Sequence, residues 1–429
     1  MSDVPRLVTA LVVGMGWRGK TYSNFALDFP DRLKIVGIAE PRKEVLDHCQ
    51  TAYNVADKYC FQSWEDAAKL EKFADCVIIC TLESEHMAPS CAFAKRGYDI
   101  LLEKAIAENA ENCKEVVRVC KEEKVQLVIC TVLRYLPESR RITELVNNGV
   151  VGDILNIQMI HHQGNVMYSH CYIRGNWSHV KTGTSFLIGC CHDIDLITQW
   201  MGDRRCISVT SFGSNIHLNK QNKPPEAGKM CVDCPVEEKC QFSAKKIYLD
   251  PFKKGDMGFP VNLITPLVPD IEGVTKAINT TKFGECVYDL GTEQLDNQVV
   301  NLMYEGGSTV SMSHVGITSR QAGRTIKIFG TKGEIESNLD GSVTHYDLET
   351  NTKSVWNPEP LKVKSQLTQF GGADFHLMDT FVDSVARRDS SRIPATIESS
   401  LYSHLLTFEI DRAQRENTIL AISPELGVL

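Results

Sequence analysis

The first 130 residues alternate short, almost wholly apolar runs with longer mixed stretches. Residues 7–13, 33–39, 75–81, 98–102 and 125–130 are dominated by Val, Ile, Leu, Cys and Ala. Runs of that length and composition are the signature of strands buried on both faces of a parallel sheet. Between them, residues 21–28, 49–59, 64–70, 86–96 and 109–123 carry the spaced apolar positions of helices. Ser63 caps the 64–70 helix with Asp66 three residues on, and Gly97 stops the 86–96 helix. Strands and helices alternating at this spacing predict an α/β fold, a doubly wound parallel sheet with its ligand at the carboxyl ends of the strands.

Beyond about residue 133 the pattern changes. A helix over 139–148 closes at Gly149, and 153–163 has strand character. Residues 299–304, 308–314, 325–329 and 343–346 are β-rich and separated by glycine turns, which predicts antiparallel strands. Helices over 375–388 and 398–417 end the chain, and residues 215–285, rich in Lys, Pro and Gly, read as an irregular insertion loop. A chain of 429 residues exceeds what one core usually spans. The division predicted is a nucleotide-binding domain over 1–132 and a substrate-binding and oligomerisation domain over 133–429, whose last helices pack back on the first.

The stretch joining the first strand to the first helix is Gly14-Met15-Gly16-Trp17-Arg18-Gly19. In that context G-x-G-x-x-G is a dinucleotide fingerprint: Gly14 for the tight turn, Gly16 for backbone approach to a pyrophosphate, Gly19 for close helix–strand packing. The pyrophosphate would sit on the free N–H groups of the new helix, near Trp17 and Arg18. Glu40 ends the second strand where an acid meets the adenosine ribose and repels a 2′-phosphate, whereas Arg42 could grip that phosphate. NAD is therefore favoured over NADP. Thr81, His86, Glu103 and Lys104 follow later strands and face the same cleft.

A net charge of −8 with no basic run argues against nucleic acid or an anionic membrane surface, and no apolar stretch is long enough to span a bilayer. The acidic amino terminus does not read as a signal peptide. Sixteen cysteines scattered through strands and helices suit a reducing compartment, hence the cytoplasm. Lys104 can bond a substrate hydroxyl and take part in proton transfer. His192 is a candidate base, with Asp195 one turn on as a group to set its tautomer. Arg134, Tyr135, His170, Arg174, Asn176 and Trp177 flank the domain junction and suit a sugar, polar groups for hydroxyls and rings for its face. Cys231, Cys234 and Cys240 have ligand-like spacing, with Cys206 or His217 as a fourth ligand for zinc. Without a second C-x-x-C, a reduced cluster without metal is the favoured reading.

Gly14-x-Gly16-x-x-Gly19, Glu103-Lys104 and Cys191-His192-Asp193-x-Asp195 together resemble the Gfo/Idh/MocA oxidoreductases, the family of glucose–fructose oxidoreductase and inositol dehydrogenases. The resemblance runs nearly end to end, through Arg324-x-Ile326-x-Ile328-Phe329-Gly330-Thr331-Lys332-Gly333. It implies a Rossmann domain followed by an α/β domain with a large, open, mostly antiparallel sheet that builds a homodimer or homotetramer. It also implies NAD(P)-dependent hydride transfer at a carbinol carbon of a sugar, sugar derivative or cyclitol, with Lys104 and His192 catalytic. Two alternatives stand beside this. One is a glycosidase-like enzyme that retains its NAD; the other is a catalytically impaired nucleotide-binding sensor or partner. Two departures matter. The family's E-K-P is Glu103-Lys104-Ala105 here, and where many members have D-x-x-x-H this chain has Ile188, followed by Gly189.

Overall fold

A computed structural model describes residues 6–319 and 323–428. Six parallel strands, β1 (Val8–Val13), β2 (Leu33–Ala39), β3 (Cys60–Phe61), β4 (Cys76–Ile79), β5 (Asp99–Leu102) and β6 (Leu127–Ile129), run in the order β3-β2-β1-β4-β5-β6. The order reverses direction between β1 and β4, so a crevice opens beyond Val13 and Ile79, at the carboxyl ends. Val8, Ala10 and Val12 enter one core, and Leu11 and Val13 the other. Burial on both faces is why these strands carry no polar stripe.

Some boundaries differ from the hydropathy pattern. The helix expected over 49–59 is Lys43–Tyr53, ended by Asn54 at φ 52°, with a single 3₁₀ turn Asp57–Tyr59 beyond it. Asparagine tolerates the left-handed cap conformation and so stops the helix early. The two-residue edge strand β3 is too short to leave a periodic trace.

The second sheet has nine strands: β7 (Ile154–His162), β8 (Cys206–Ser214), β9 (Asn297–Tyr304), β10 (Thr309–Val315), β11 (Gly323–Gly330), β12 (Gly333–Ser337), β13 (Val343–Asp347), β14 (Thr352–Trp356) and β15 (Leu420–Ala421). Their order is β14-β13-β12-β11-β7-β10-β9-β8-β15, antiparallel except for β7 beside β10. Ile157, Met159, Val209, Val300, Leu302 and Met312 turn into the core, whereas Leu155, Ile160, Phe212 and Met303 on the same strands stand exposed.

Four helices position the site: α1 (Trp17–Asp28), α2 (Ser185–Met201), α3 (Gln369–Arg387) and α4 (Ile397–Glu416). The regular part of α3 starts only after Phe370, Gly371 and Gly372, all at positive φ. Phe375 of α3 lies 6.0 Å from Phe25 and 5.5 Å from Phe29, and Leu401 and Leu405 of α4 join the core of Leu11, Val77 and Ile129. Both terminal helices thus pack back on the first sheet. The region 215–285 is not an irregular loop. Short helices, including Ile271–Thr280, enclose a core of Ile247, Tyr248, Val261, Val274 and Ile278. Its apolar residues are spread over many brief turns, so no period emerges in the sequence. No helix among the described residues is long and apolar enough to cross a membrane.

Candidate active site

Three glycines shape the crevice, each differently. Gly14 has φ +87°, and a Cβ there would lie 2.7 Å from the Cys80 carbonyl oxygen; a Cβ on Gly19 would lie 2.0 Å from the oxygen of Gly14. Those two are demanded by the fold itself. At Gly16 a Cβ would meet nothing within 4 Å. Gly16 is the N-cap of α1, whose first turn has neither a capping side chain nor an acid. The leading N–H groups, including those of Trp17 and Arg18, therefore lack intrahelical acceptors and fit the phosphates of a dinucleotide.

The charged residues expected near the cofactor are largely bound to one another. The Arg18 guanidinium donates to Glu103 (2.9 Å), to Asp374 of α3 (2.6 and 3.2 Å) and to the Tyr22 hydroxyl (2.6 Å). Glu103 also accepts from the Tyr22 hydroxyl at 2.6 Å and the Lys104 N–H at 2.9 Å. Burial pushes the Glu103 carboxyl up, but the Arg18 and Lys104 charges outweigh it and leave it below the usual carboxylate range. Glu40 accepts from the Met15 N–H (2.8 Å) and from the N–H and guanidinium of Arg42 (2.7–3.0 Å), so it steadies the glycine loop. Burial of Glu40 is again outweighed by Arg42, and its carboxyl titrates low. The Arg42 side chain is half exposed, between Glu40 and solvent. His86, fully buried, sets its ring nitrogens against the carbonyls of Ala105 (2.7 Å) and Thr81 (3.1 Å) and ties together the loops after β4 and β5.

Lys104 is joined to Ala105 by a cis peptide bond, and its ammonium donates to the Ile188 carbonyl at 2.8 Å. Thr184 caps α2 by accepting from the Leu187 N–H at 3.0 Å. Ile188 precedes His192 by one turn, so Lys104 lies against the turn that carries His192. Where the family pattern has a carboxylate, the lysine takes a main-chain oxygen. The His192 imidazole has no hydrogen-bond partner among the described residues. Burial, then the positive charges of Lys104 and Arg324, hold its pKa well below the ordinary value. Its imidazole is therefore neutral near pH 7 and can accept a proton, and the resulting cation would be a strong acid.

Asp195 does not orient His192, contrary to the sequence expectation. Its carboxylate takes both arms of Arg134 at 2.6 and 2.8 Å, and Arg134 also donates to the Pro394 carbonyl at 2.7 Å. Three residues along α2 bring Asp195 to the junction with α4 instead. With both side chains at most 3% exposed, removing one partner strands a buried charge. Arg134→Met is expected to cost about 3–5 kcal/mol of stability, measured by urea denaturation, and adding Asp195→Leu should recover most of it. Equal losses in the single and double variants would refute the pairing account. Tyr135 is buried in the same core.

Of the remaining sugar candidates, His170 and Arg174 serve the insertion. His170 bonds the Tyr248 hydroxyl at 3.0 Å and stacks on Phe283, with centroids 5.4 Å apart. Arg174, wholly buried, donates to the carbonyls of Glu285 and Phe242. Trp177 and Asn176 reach the carboxyl end of the parallel sheet. Trp177 donates to Glu83 at 2.9 Å, just beyond β4, and Asn176 lines a cavity of about 280 Å³ with Leu82, Ser178, His179 and Lys282.

Burial pushes His170 and His314 down to about 3 from an ordinary 6.5, while it raises Asp411 to about 6. Below pH 6.5 the unfolded chain protonates both histidines and the native chain does not, so stability falls on acidification from 6.5 towards 3. Asp411 acts oppositely between its ordinary 3.8 and about 6. His161, His192 and His404 are held low as well, so the histidines outnumber the raised carboxyls of Asp411 and Glu138 and the net slope is positive. Denaturation midpoints measured between pH 7 and 5 should fall; a flat or rising profile would contradict this.

Sequence reasoning missed Glu83 and a polar network under α2. His161 of β7 bonds Asp193 at 2.8 Å, Arg324 of β11 pairs with Asp193 at 2.7 Å, and the Cys190 sulfur lies 3.4 Å from His161. His161, Cys190 and Asp193 could hold a metal by proximity alone, but Arg324 already supplies the cation. The inward alternation of β7 and Asp193 beside His192 were the available signals. The group beside the three spaced cysteines is not one of the two that the sequence suggested. Cys206 lies in the main core and the His217 ring bonds the Tyr288 hydroxyl at 3.1 Å, whereas Cys286 joins Cys231, Cys234 and Cys240.

Residues 8–131 match the family model of the oxidoreductase family with an NAD-binding Rossmann fold, and residues 143–422 match that family's C-terminal alpha/beta domain. Putative oxidoreductase YteT of Bacillus subtilis (strain 168) is 24% identical over 62% of this chain and 60% of its own length. The 2,7-anhydro-N-acetylneuraminate hydratase of Escherichia coli (strain K12) is 26% identical over 48% of this chain and 52% of its own. The chain thus spans little more than half the length of these curated relatives. Scyllo-inositol dehydrogenase from Lactobacillus casei, solved with bound NAD(H) and scyllo-inositol, shares the fold at a TM-score of 0.64 and 17% identity, covering 97% of this chain and 99% of that one. With both family models matched across nearly all its length, the chain belongs to the Gfo/Idh/MocA oxidoreductase family.

Proposed function

We propose that the protein is an NAD(P)-dependent oxidoreductase acting on a CH–OH carbon of a sugar, sugar derivative or cyclitol. The observation that carries this reading is the placement of Lys104 on the turn of α2 that bears His192, beside the crevice of the glycine loop. The nicotinamide supplies hydride transfer when bound. Gly16 and the first turn of α1 hold the pyrophosphate, and Glu40 faces the adenosine ribose, which favours NAD. Lys104 polarises the reacting hydroxyl, and neutral His192 accepts its proton. Trp177, Asn176 and the polar cavity beyond Leu82 receive the rest of the substrate. A titration with NAD and NADP, followed by a sugar and polyol panel scored for reduced cofactor, tests this. Absence of binding to either nucleotide would overturn it.

A second reading rests on the hydratase names among the similar proteins. The same pair of residues would serve an enzyme that retains its NAD, oxidises transiently, eliminates or adds at the neighbouring carbon and then reduces again. Nucleotide that survives purification, with turnover but no net reduced cofactor, would favour this reading over the first.

Leu155, Ile160, Phe212 and Met303 on the outer face of the second sheet support assembly of two or four copies through that face. Light scattering that returns a monomer mass would remove this part of the reading.

A further inference from the structure

The insertion brings together cysteines that the sequence holds far apart. Cys231, Cys234, Cys240 and Cys286 line one cavity of about 20 Å³, with Arg174 and Phe242 among its other walls. Cys286 lies 46 residues beyond Cys240 and reaches the cavity because its N–H donates to the Lys229 carbonyl at 2.8 Å, pinning the two segments side by side. We propose that these four thiolates form a metal centre for a thiophilic metal.

Three independent features support it. First, the cavity exceeds the roughly 10–15 Å³ that one water-sized guest needs, and four cysteines from three short turns are among the residues that line it. Second, the Arg174 guanidinium is wholly buried here, and among the described residues no carboxylate pairs with it and its Nη1 has no hydrogen-bond partner. A buried cation without an anion costs several kcal/mol, and its other terminal nitrogen lies 3.5 Å from the Cys231 sulfur. A tetrathiolate bearing a divalent metal carries net negative charge and compensates that cation. Third, the Gly228 N–H points to the Cys234 sulfur at 3.3 Å, an outer hydrogen bond of the kind that steadies metal-bound thiolates.

The ring is wider than a closed tetrahedral zinc site. Among the described residues, the three-ligand group within 4.8 Å is elsewhere, at His161, Cys190 and Asp193. A single zinc ion draws the sulfurs inward to about 2.3 Å from the metal, whereas an iron–sulfur cluster with four cysteine ligands takes a wider ring. Either would fasten the insertion to the segment Ser169–Arg174 that leads to Trp177.

The test is metal and acid-labile sulfide analysis of the full-length protein as purified, with Cys286→Ser and the remote control Cys60→Ser. One zinc per chain, kept in Cys60→Ser and lost in Cys286→Ser, supports a single-ion centre. Iron with sulfide and visible charge-transfer absorption, lost in the same variant, supports a cluster centre. Should Cys286→Ser fail to fold, cobalt(II) added to chelator-treated wild type must show thiolate-to-cobalt charge-transfer absorption. Wild type that holds no metal and gives no such absorption, or metal kept undiminished in a folded Cys286→Ser, overturns the proposal. Nucleotide titration of the same samples separates this outcome from failure of the oxidoreductase reading, because the Gly16 crevice is built by the parallel sheet and α1, whereas the four cysteines belong to the insertion.

Discussion

Lys104→Met is expected to reduce turnover by roughly a thousandfold or more while leaving nucleotide affinity within a few-fold of wild type. Methionine keeps the length and the apolar stem but removes every N–H donor. The hydrogen bond to Ile188 goes with them, and so does the cation that polarises a bound hydroxyl. Positioned acid–base groups contribute about 10²–10⁴-fold, and loss of the electrostatic contribution adds to that, so the combined effect is on the order of 4 kcal/mol in the barrier. The fold should persist, because the lysine hydrogen bond is neither part of a sheet ladder nor an ion pair. Loss of the Lys104 charge also removes one of the influences holding His192 low, so the acid limb of any residual rate should move to higher pH. Steady-state kinetics with an active substrate and a nucleotide titration check both halves. Retained turnover would remove Lys104 from the chemistry and leave it a strut between β5 and α2.

The second large effect separates two glycines three residues apart. Gly16→Val should fold normally and yet lose about a hundredfold or more in dinucleotide affinity. A Cβ there touches no protein atom within 4 Å, so its branches enter only the space a pyrophosphate needs. Two charge-assisted hydrogen bonds to the first turn of α1, at about 1.5–3 kcal/mol each, are then forfeited. Gly19→Val should do the reverse. Its Cβ would lie 2.0 Å from the Gly14 oxygen, which forces α1 away from β1 and costs about 3 kcal/mol or more, as overpacking does at its upper end. Thermal melts of the apo proteins beside nucleotide titrations make the comparison. Unchanged affinity in Gly16→Val would refute the phosphate assignment; a Gly19→Val protein as stable as wild type would refute the packing account.

Whether the crevice takes NAD or NADP turns on Glu40 and Arg42, and the structure shows why the sequence left both open. The two side chains neutralise each other, and the half-exposed Arg42 stands over a carboxylate that also holds the Met15 N–H. A ribose hydroxyl must share Glu40 with these donors, while a 2′-phosphate would draw Arg42 away.

The sequence by itself determined the parallel sheet and the glycine loop, and it singled out Lys104 and His192 as candidates. Each is legible in a short stretch of chain: apolar runs set by burial on both faces, a glycine spacing between strand and helix, and a lysine at the carboxyl end of a strand. Tertiary structure decided what the long-range charges do. Asp195 shares a helix with His192, yet three residues turn it towards Arg134 and α4. Arg18 sits in the fingerprint, yet Asp374 of α3, more than 350 residues on, claims it. Arg174 reads as a sugar ligand and becomes the buried cation of the cysteine cavity. Cys286 joined its partners only once the insertion folded on itself. Hydropathy and spacing report the burial of a segment, whereas the partner of a buried charge or thiol depends on which segments the fold sets side by side, and that information is not periodic.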